Sequence, residues 1–173
     1  METFLEILKY ILPSLVMFAT VFFLLRMFLE SEQKKRLLEL KMEGKNHTLP
    51  IRLQAFERLT MYLERISPAN LVIRMQNSAL NNAQFQMLLA ATVRNEFEHN
   101  LSQQMYISSQ TWNAVKNAKE ETIKIINLAS GQVAPEGPSK ELSAKIIEIM
   151  AEMPATPSDQ SLEILKQEIR QYY

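Results

Sequence analysis

The uncharged stretch YILPSLVMFATVFFLL at residues 10–25 decides how this chain is built. Lys9 precedes it and Arg26 follows it. Sixteen helical residues span about 24 Å, and the two flanking side chains can direct their charges outward and lengthen the apolar span. The usable span is then about residues 4–29, which matches a hydrocarbon core of about 30 Å. The pattern predicts a transmembrane anchor over residues 1–29.

A cleaved signal peptide is the main alternative for this segment. Such a peptide starts with basic residues, whereas Glu2 and Glu6 stand here beside Lys9. It also ends at a small-residue cleavage site, but residues 30–35 read ESEQKK. We therefore expect an uncleaved membrane anchor, with a buried helix of a soluble core as the remaining alternative.

Lys and Arg residues are unevenly distributed around the span. Lys9 alone precedes it, whereas the residues that follow include Arg26, Lys34, Lys35, Arg36, Lys41 and Lys45. The positive-inside rule places the side richer in Lys and Arg in the cytoplasm. We expect a single-pass protein with its N-terminus outside and its C-terminal domain in the cytoplasm.

The remainder of the chain has the composition of helices. No segment alternates between apolar and polar residues long enough to predict a strand, and every acidic residue except Asp159 is Glu. We predict a mainly α fold, in which a single N-terminal transmembrane helix is followed by a cytoplasmic helical bundle. Residues 30–48 are expected to form a charged juxtamembrane helix and linker, with a break at GKNHT, residues 44–48.

Residues 49–130 are expected to form the helical bundle. Apolar residues recur there at spacings of three and four, the period of an amphipathic helix, in stretches that begin near Pro50, near Ala83 and at Ser108 or Ser109. The side chains predicted to face inward include Phe56, Leu59, Leu63, Ile66, Phe85, Leu88, Leu89, Val93, Phe97, Trp112, Val115, Ile123 and Ile126.

The last part of the chain contains two further helices. Residues 131–138, GQVAPEGP, hold two Gly and two Pro and predict a flexible connection. In residues 139–173 we expect Ser139 to cap one helix and Thr156 to cap the other, with Pro157 as its first residue. Whether these helices pack on the bundle or swing free is open at this point.

Composition excludes several kinds of site. The absence of Cys excludes a disulfide framework, a thiolate metal site and a Cys nucleophile, and only His47 and His99 could act as imidazoles. Three Gly residues leave no room for a phosphate-cradling loop, and a net charge of zero argues against a strongly basic nucleic-acid binder. We therefore predict no cofactor and no nucleic-acid partner.

Glu96 and His99 have the E-x-x-H spacing of di-iron helices, which places a carboxylate and an imidazole on one helix face. Such a centre needs a second motif and two more Glu residues. His99 could also act as a general base, but no nucleophile elbow surrounds the Ser residues. We expect no metal site, no catalytic residue and no enzyme activity, and keep an enzyme centred on Glu96 and His99 as an alternative.

The neutral net charge is unevenly distributed along the chain. Residues 1–25 carry −1, residues 26–74 carry +4 and residues 75–173 carry −3. The basic part is either a solvated helix face that sets the topology or a surface that contacts anionic lipid. The candidate lipid-facing residues are Lys34, Lys35, Arg36, Arg52, Arg58 and Arg65.

A polar run from Glu96 to Gln104 forms either a hydrogen-bond network between helices or a partner surface. Aromatic residues are common interface anchors, although the spacing of Trp112 and Val115 favours core packing for Trp112. The candidate residues for the network or partner surface are Glu96, His99, Asn100, Gln103, Gln104, Trp112, Tyr172 and Tyr173.

The sequence also resembles a known family. The resemblance lies in the N-terminal anchor and in RLQAFERL at 52–59, LERISP at 63–68, EFEHNLSQQMY at 96–106, Trp112 and Ile126-Asn127. With these features the chain is similar to small, uncharacterised membrane-anchored proteins of the phylum Bacteroidota, over residues 1–130 in particular. That family has no assigned activity, so the resemblance implies a bacterial inner (cytoplasmic) membrane and no catalytic residues.

These observations favour a protein-binding role. We expect the cytoplasmic helical domain to bind other proteins, as a scaffold or accessory subunit of a membrane complex. The alternative is a peripheral lipid-binding adaptor that lays the helix from Arg52 to Arg65 on the membrane surface. Membrane lipids and one or more proteins are the expected partners, and a homo-oligomer stays open.

Overall fold

The computed structural model describes the backbone of residues 1–172, and the side chains of residues 1, 11, 13–36, 39 and 48–172. Over residues 1–172 the chain is almost entirely helical and has no named strand. The α-helices are α1 (Glu2–Ile66), α2 (Pro68–Met75), α3 (Asn82–Glu98), α4 (Ser109–Ser130), α5 (Ser139–Ala151) and α6 (Pro157–Ile169), with 3₁₀ helices at Leu101–Met105 and Arg170–Tyr172.

The chain divides into two compact units, Met1–Leu49 and Pro50–Tyr173. The division falls inside α1, directly before a proline. Proline lacks the N–H that would donate to the preceding turn, so one backbone hydrogen bond of α1 is missing at Pro50.

The first unit contains a helix segment, Pro13–Arg36, that is long and apolar enough to cross a membrane. None of its apolar side chains is buried, and most of them are exposed. Two hydroxyl groups of this segment bond to carbonyls of their own helix. Ser14 Oγ donates to the carbonyl of Ile11 at 2.7 Å, and Thr20 Oγ1 donates to that of Val16 at 2.8 Å. Internal hydrogen bonds of this kind suit an apolar environment, where water is absent.

The predicted break at residues 44–48 is wrong, because α1 continues through them. Gly44 disfavours a helix by only about 1 kcal/mol relative to Ala. The residues before it are mostly Glu, Lys and Leu, which favour a helix, so one glycine is not enough to end it. The side chain of His47 lies outside the described residues.

The second unit is built around the predicted apolar stripe of α1. Phe56, Leu59, Leu63 and Ile66 are all buried. They share one core with the predicted inward positions of α3 and α4, of which Leu88 is only partly buried. The other members are Phe85, Leu89, Val93, Phe97, Trp112, Val115, Ile123 and Ile126.

Local capping rules place several helix starts correctly. Ser108 caps α4, with its Oγ accepting from the N–H of Thr111 at 3.2 Å. Thr156 caps α6 through a capping box with Asp159, as the sequence predicts. The prediction for α5 is wrong, because Ser139 is its first helical residue rather than its cap. The Ser139 hydroxyl instead donates to the carbonyl of Asn77 at 2.7 Å, a tertiary contact.

The two C-terminal helices pack on the bundle. Leu142 and Ile146 of α5 and Leu162 and Leu165 of α6 lie in the common core. Small residues let α6 approach α4 closely, as the buried Ser161 shows by donating its hydroxyl to the carbonyl of Ala114 at 2.8 Å. The question left open by the sequence is therefore answered in favour of docking.

The connection at residues 131–138 differs from the flexible segment predicted, because hydrogen bonds hold it against the start of α3. The N–H of Asn82 donates to the carbonyl of Gly137 at 2.8 Å, and the Asn82 amide Nδ2 donates to that of Ala134 at 2.8 Å. A Cβ on Gly137 would lie 2.7 Å from Asn82 Nδ2 and 2.5 Å from Glu141 Oε2. A Cβ at this position would therefore force the Asn82 or Glu141 side chain to move.

Candidate functional site

The charged cluster around Glu96 joins three helices and contains two of the residues singled out from the sequence. Arg65 of α1 lies with its Nη2 2.6 Å and its Nε 2.9 Å from Glu96 Oε1. Arg74 of α2 places its Nη1 3.4 Å from the same oxygen. Two guanidinium groups therefore share one carboxylate oxygen.

Local structure explains why the two arginines converge. Arg65 and Arg74 occupy the last turns of α1 and α2, where the helix dipole favours a positive charge. The turn at Ser67 folds α2 back so that Arg74 Nη2 donates to the carbonyl of Arg65 at 3.2 Å. Asn70 Nδ2 donates to the carbonyl of Glu64 at 3.1 Å and so satisfies another exposed group at the end of α1.

The cluster is partly accessible. The side chain of Glu96 is 16% exposed, whereas those of Arg65 and Arg74 are 51% and 34% exposed. With two cations and one anion, the three residues carry a net charge of +1. Interactions at this depth are less screened than on an open surface, so the surplus positive charge can attract an anion.

An aromatic group lies beside this cluster. The ring centroids of Tyr62 and Phe97 are 6.1 Å apart, and Phe97 stacks on Trp112 at 5.3 Å. Lys119 Nζ lies 4.4 Å from the centroid of Phe97 and 2.9 Å from Glu120 Oε1. Trp112 is buried, as the spacing with Val115 favours.

Tyr62 is a fully buried tyrosine whose hydroxyl has no hydrogen-bond partner among the described residues. Burial raises its pKa, and the carboxylates of Glu96 and Glu120 raise that pKa further. The hydroxyl is therefore neutral at physiological pH and has a proton to donate. An unsatisfied donor in a core is unusual and calls for an explanation.

The polar run from Glu96 to Gln104 bonds within itself. Asn100 Nδ2 donates to the carbonyl of Glu96 at 2.8 Å, and the buried Gln103 donates its Nε2 to Ser102 Oγ at 3.0 Å. His99 closes the end of α3 and is exposed, as is Gln104. Among the described residues, the ion pairs that connect this run to other helices come from the carboxylate of Glu96, and its aromatic contacts come from Phe97.

The E-x-x-H spacing does not assemble a metal site in the described part of the chain. The partners of Glu96 there are arginines, and no group of three or more His, Asp or Glu side chains among the described residues could hold a metal ion.

The arginines proposed to face lipid differ in their contacts. Arg52 places its guanidinium carbon 4.6 Å from the ring centroid of Tyr172, Arg65 pairs with Glu96, and Arg58 is exposed. Tyr172 also packs on Phe56, with centroids 6.1 Å apart. Tyr173 lies outside the described residues.

In the first unit, Lys34, Lys35 and Arg36 are exposed. Arg36 lies 3.8 Å from Glu32 and Arg26 lies 3.0 Å from Glu30, each one helical turn apart. The side chain of Lys9 lies outside the described residues.

Sequence reasoning missed Arg74 and Glu168. Glu168 of α6 is buried, and its carboxylate accepts from the N–H of Ser108 at 2.8 Å and from Ser108 Oγ at 2.6 Å. The pair lines a cleft of about 180 Å³. Because Ser108 also caps α4, the carboxylate reinforces a helix start. No sequence signal could reveal this, since the residues are sixty positions apart.

A family model matches residues 2–172, that of a family of unknown function (DUF7935). No curated protein and no solved structure matches the chain. The family match includes the apolar N-terminal segment as well as the bundle. It extends past residue 130, whereas the resemblance read from the sequence is strongest over residues 1–130.

Proposed function

We propose that this chain, which belongs to a family of unknown function (DUF7935), is a single-pass protein of the inner membrane of a bacterium of the phylum Bacteroidota. Its helical second unit stands in the cytoplasm and binds another protein there, as a scaffold or accessory subunit of a membrane complex.

The observation that carries the membrane assignment is the exposed apolar helix, Pro13–Arg36. Large apolar side chains such as Phe18, Phe22 and Phe23 are exposed on more than one face of this helix. At about 25 cal/mol per Å² of apolar surface, exposing them to water would be strongly unfavourable. A lipid environment removes that cost, which supports a membrane span.

The orientation follows from the charges beside the span. Arg26, Lys34, Lys35 and Arg36 follow the uncharged stretch at residues 10–25, and Lys9 alone precedes it. The positive-inside rule then supports a cytoplasmic second unit.

The protein-binding role is supported by the surface of the second unit. Ile73, Met87, Met105 and Leu128 are large apolar side chains that stand well exposed on different elements. Apolar side chains together with accessible arginines are the usual composition of a protein interface.

The membrane assignment is tested by alkaline carbonate extraction and by protease protection on sealed vesicles. We expect the chain to stay in the membrane pellet and its second unit to be digested only in inside-out vesicles. Digestion from the outer face alone would contradict the orientation, and release by carbonate would contradict the span.

The protein-binding role is tested by crosslinking in intact membranes, affinity purification of the full chain and quantitative mass spectrometry. A tagged chain of residues 1–49 is the control for contacts made by the anchor. We expect a partner that is enriched with the full chain alone. Identical sets of proteins from both would contradict the proposal.

A further inference from the structure

We propose that the cluster of Arg65, Glu96 and Arg74 is the docking point for an acidic segment of the protein partner, whose carboxylate replaces that of Glu96 between the two arginines. This inference rests on the proposed protein-binding function of the second unit and names the chemistry of its partner.

The geometry of the arginines suits an incoming carboxylate. Arg65 and Arg74 both approach the same oxygen, Glu96 Oε1, and Arg74 is held in place by its bond to the carbonyl of Arg65. A guanidinium group presents five donors in a planar fork that matches a carboxylate in two parallel bonds. Both arginines are accessible enough to use their remaining donors.

Glu96 has a second partner available when it is displaced. The Tyr62 hydroxyl is buried and has no hydrogen-bond partner among the described residues, and the Tyr62 ring packs on Phe97, the residue that follows Glu96. A carboxylate that turns away from the arginines can accept a hydrogen bond from this hydroxyl. The exchange would satisfy a donor that is otherwise unsatisfied, which lowers the cost of displacing Glu96.

Exposed apolar side chains lie close in sequence to the two arginines. Met61 lies one helical turn before Arg65 and is 53% exposed, and Ile73 precedes Arg74 and is 72% exposed. Interface centres combine apolar contacts with arginine, so the matching segment has an acidic residue next to apolar ones.

The charges favour a protein segment over a lipid surface. Glu57 and Glu64 are exposed on the same stretch of α1 as Arg58 and Arg65. A planar anionic bilayer would meet these carboxylates as well as the arginines, and like charges repel. A short acidic segment covers less of α1 than a bilayer does, so it can contact Arg65 and Arg74 while meeting fewer of these carboxylates.

The test uses the full chain in neutral detergent micelles. The probe is a fluorescein-labelled decapeptide, EELEELEELE, whose binding is followed by fluorescence anisotropy, with KKLKKLKKLK as the charge-reversed control. We expect salt-sensitive binding of the acidic peptide alone. The double variant R65A/R74A should weaken it at least about tenfold, since each arginine–carboxylate pair is a charge-assisted bond. The matched double variant R58A/R170A, which removes the same charge from exposed positions, should change it less than about twofold.

Two further variants separate a docking site from a structural ion pair. E96Q should strengthen binding about threefold or more, because the competing anion is gone. Y62F should weaken it about twofold or more, because the displaced carboxylate loses its donor. A purely structural ion pair predicts no gain for E96Q. Circular dichroism melts of each variant confirm that it is folded.

Several results would overturn this inference. The inference is overturned if the peptide does not bind, if the two arginine double variants lose binding equally, or if E96Q gains no binding. Binding to phosphatidylglycerol vesicles, but not to the peptide, would assign the cluster to lipid instead. If R65A/R74A still captures the crosslinked partner of the full chain, this inference fails and the proposed function stands. If the full chain captures no partner at all, the proposed function itself fails.

Discussion

Phenylalanine side chains are exposed in one unit and buried in the other. Phe18 in the unit Met1–Leu49 is 73% exposed, whereas Phe85 in the unit Pro50–Tyr173 is fully buried. Both residues lie in α-helices of mostly apolar and helix-favouring residues. The difference is the distribution of apolar residues around the helix, because a helix that is apolar on every side cannot bury itself against one neighbour. The helix segment that contains Phe18 is therefore apolar enough to cross a membrane, and the helix that contains Phe85 contributes to a core.

Polar groups show the same contrast. Ser14 and Thr20 bond to carbonyls three and four residues earlier in their own helix. In the second unit, Asn82 and Glu168 bond to groups about fifty to sixty residues away. The side-chain hydrogen bonds of Ser14 and Thr20 are therefore local, whereas those of Asn82 and Glu168 depend on tertiary contacts.

Charging the first helix should have the largest effect. We expect the triple variant F18D/F22D/F23D to move the chain out of the membrane, because each charge at the centre of a span costs about 2.5–3.5 kcal/mol. Membrane fractionation with carbonate extraction measures this. The control F18L/F22L/F23L should remain in the pellet. If the Asp variant also remained there, the two units would not differ in the solvent they need.

Removing a core side chain should destabilise the second unit alone. Leu142→Ala empties a fully buried position and should lower the free energy of unfolding by about 2–5 kcal/mol. Denaturant unfolding of the detergent-solubilised chain, followed by Trp112 fluorescence, measures this change. Phe18→Ala, in the first unit, is the control and should leave this transition unchanged. A similar loss in the control would mean that the units do not unfold separately.

Two glycines near the end of α4 should respond differently to the same change. Gly137→Ala places a Cβ 2.7 Å from Asn82 Nδ2 and should cost about 1–3 kcal/mol. Gly131→Ala meets nothing closer than 3.6 Å and should be tolerated. Thermal unfolding of the two variants gives the comparison. Equal melting temperatures would show that the connection at residues 131–138 is not held against α3.

The buried Tyr62 should make the second unit sensitive to alkali. Its pKa is raised on folding, so above about pH 10 the unfolded state loses the phenol proton while the folded state keeps it. The folded state then binds more protons, and stability falls as pH rises, by about 1.4 kcal/mol per pH unit from this group. Denaturant unfolding between pH 9 and pH 11 should show a shallower fall in Y62F. Parallel curves for the two proteins would contradict the assignment.

The helical architecture could largely be read from the sequence because its signals are local. The spacing of Phe56, Leu59 and Leu63 marks the buried face of α1, and Thr156 followed by Pro157 marks the start of α6. Both follow from the helical period and from the unsatisfied N–H groups of a first turn. The two incorrect signals, at Gly44 and Ser139, are weak local preferences that neighbouring residues or tertiary contacts outweigh.

The site was only partly predictable. Arg65 and Glu96 were singled out separately, the first as lipid-facing and the second as a metal or network residue. Their pairing depends on how α2 folds back on α1 and on where α3 passes, and neither is encoded in spacing along one helix. Arg74 carries no local signal, because an arginine in the last turn of a short helix is common on any surface.

By itself the sequence determined which segments are helical, where most of them begin and which one is apolar all round, because these properties depend on a few neighbouring residues. Only the tertiary structure decided that α5 and α6 join the core, that Gly137 packs against Asn82, and that two arginines meet at Glu96. Such contacts join residues far apart in the chain, and their geometry exists only once the helices are packed together.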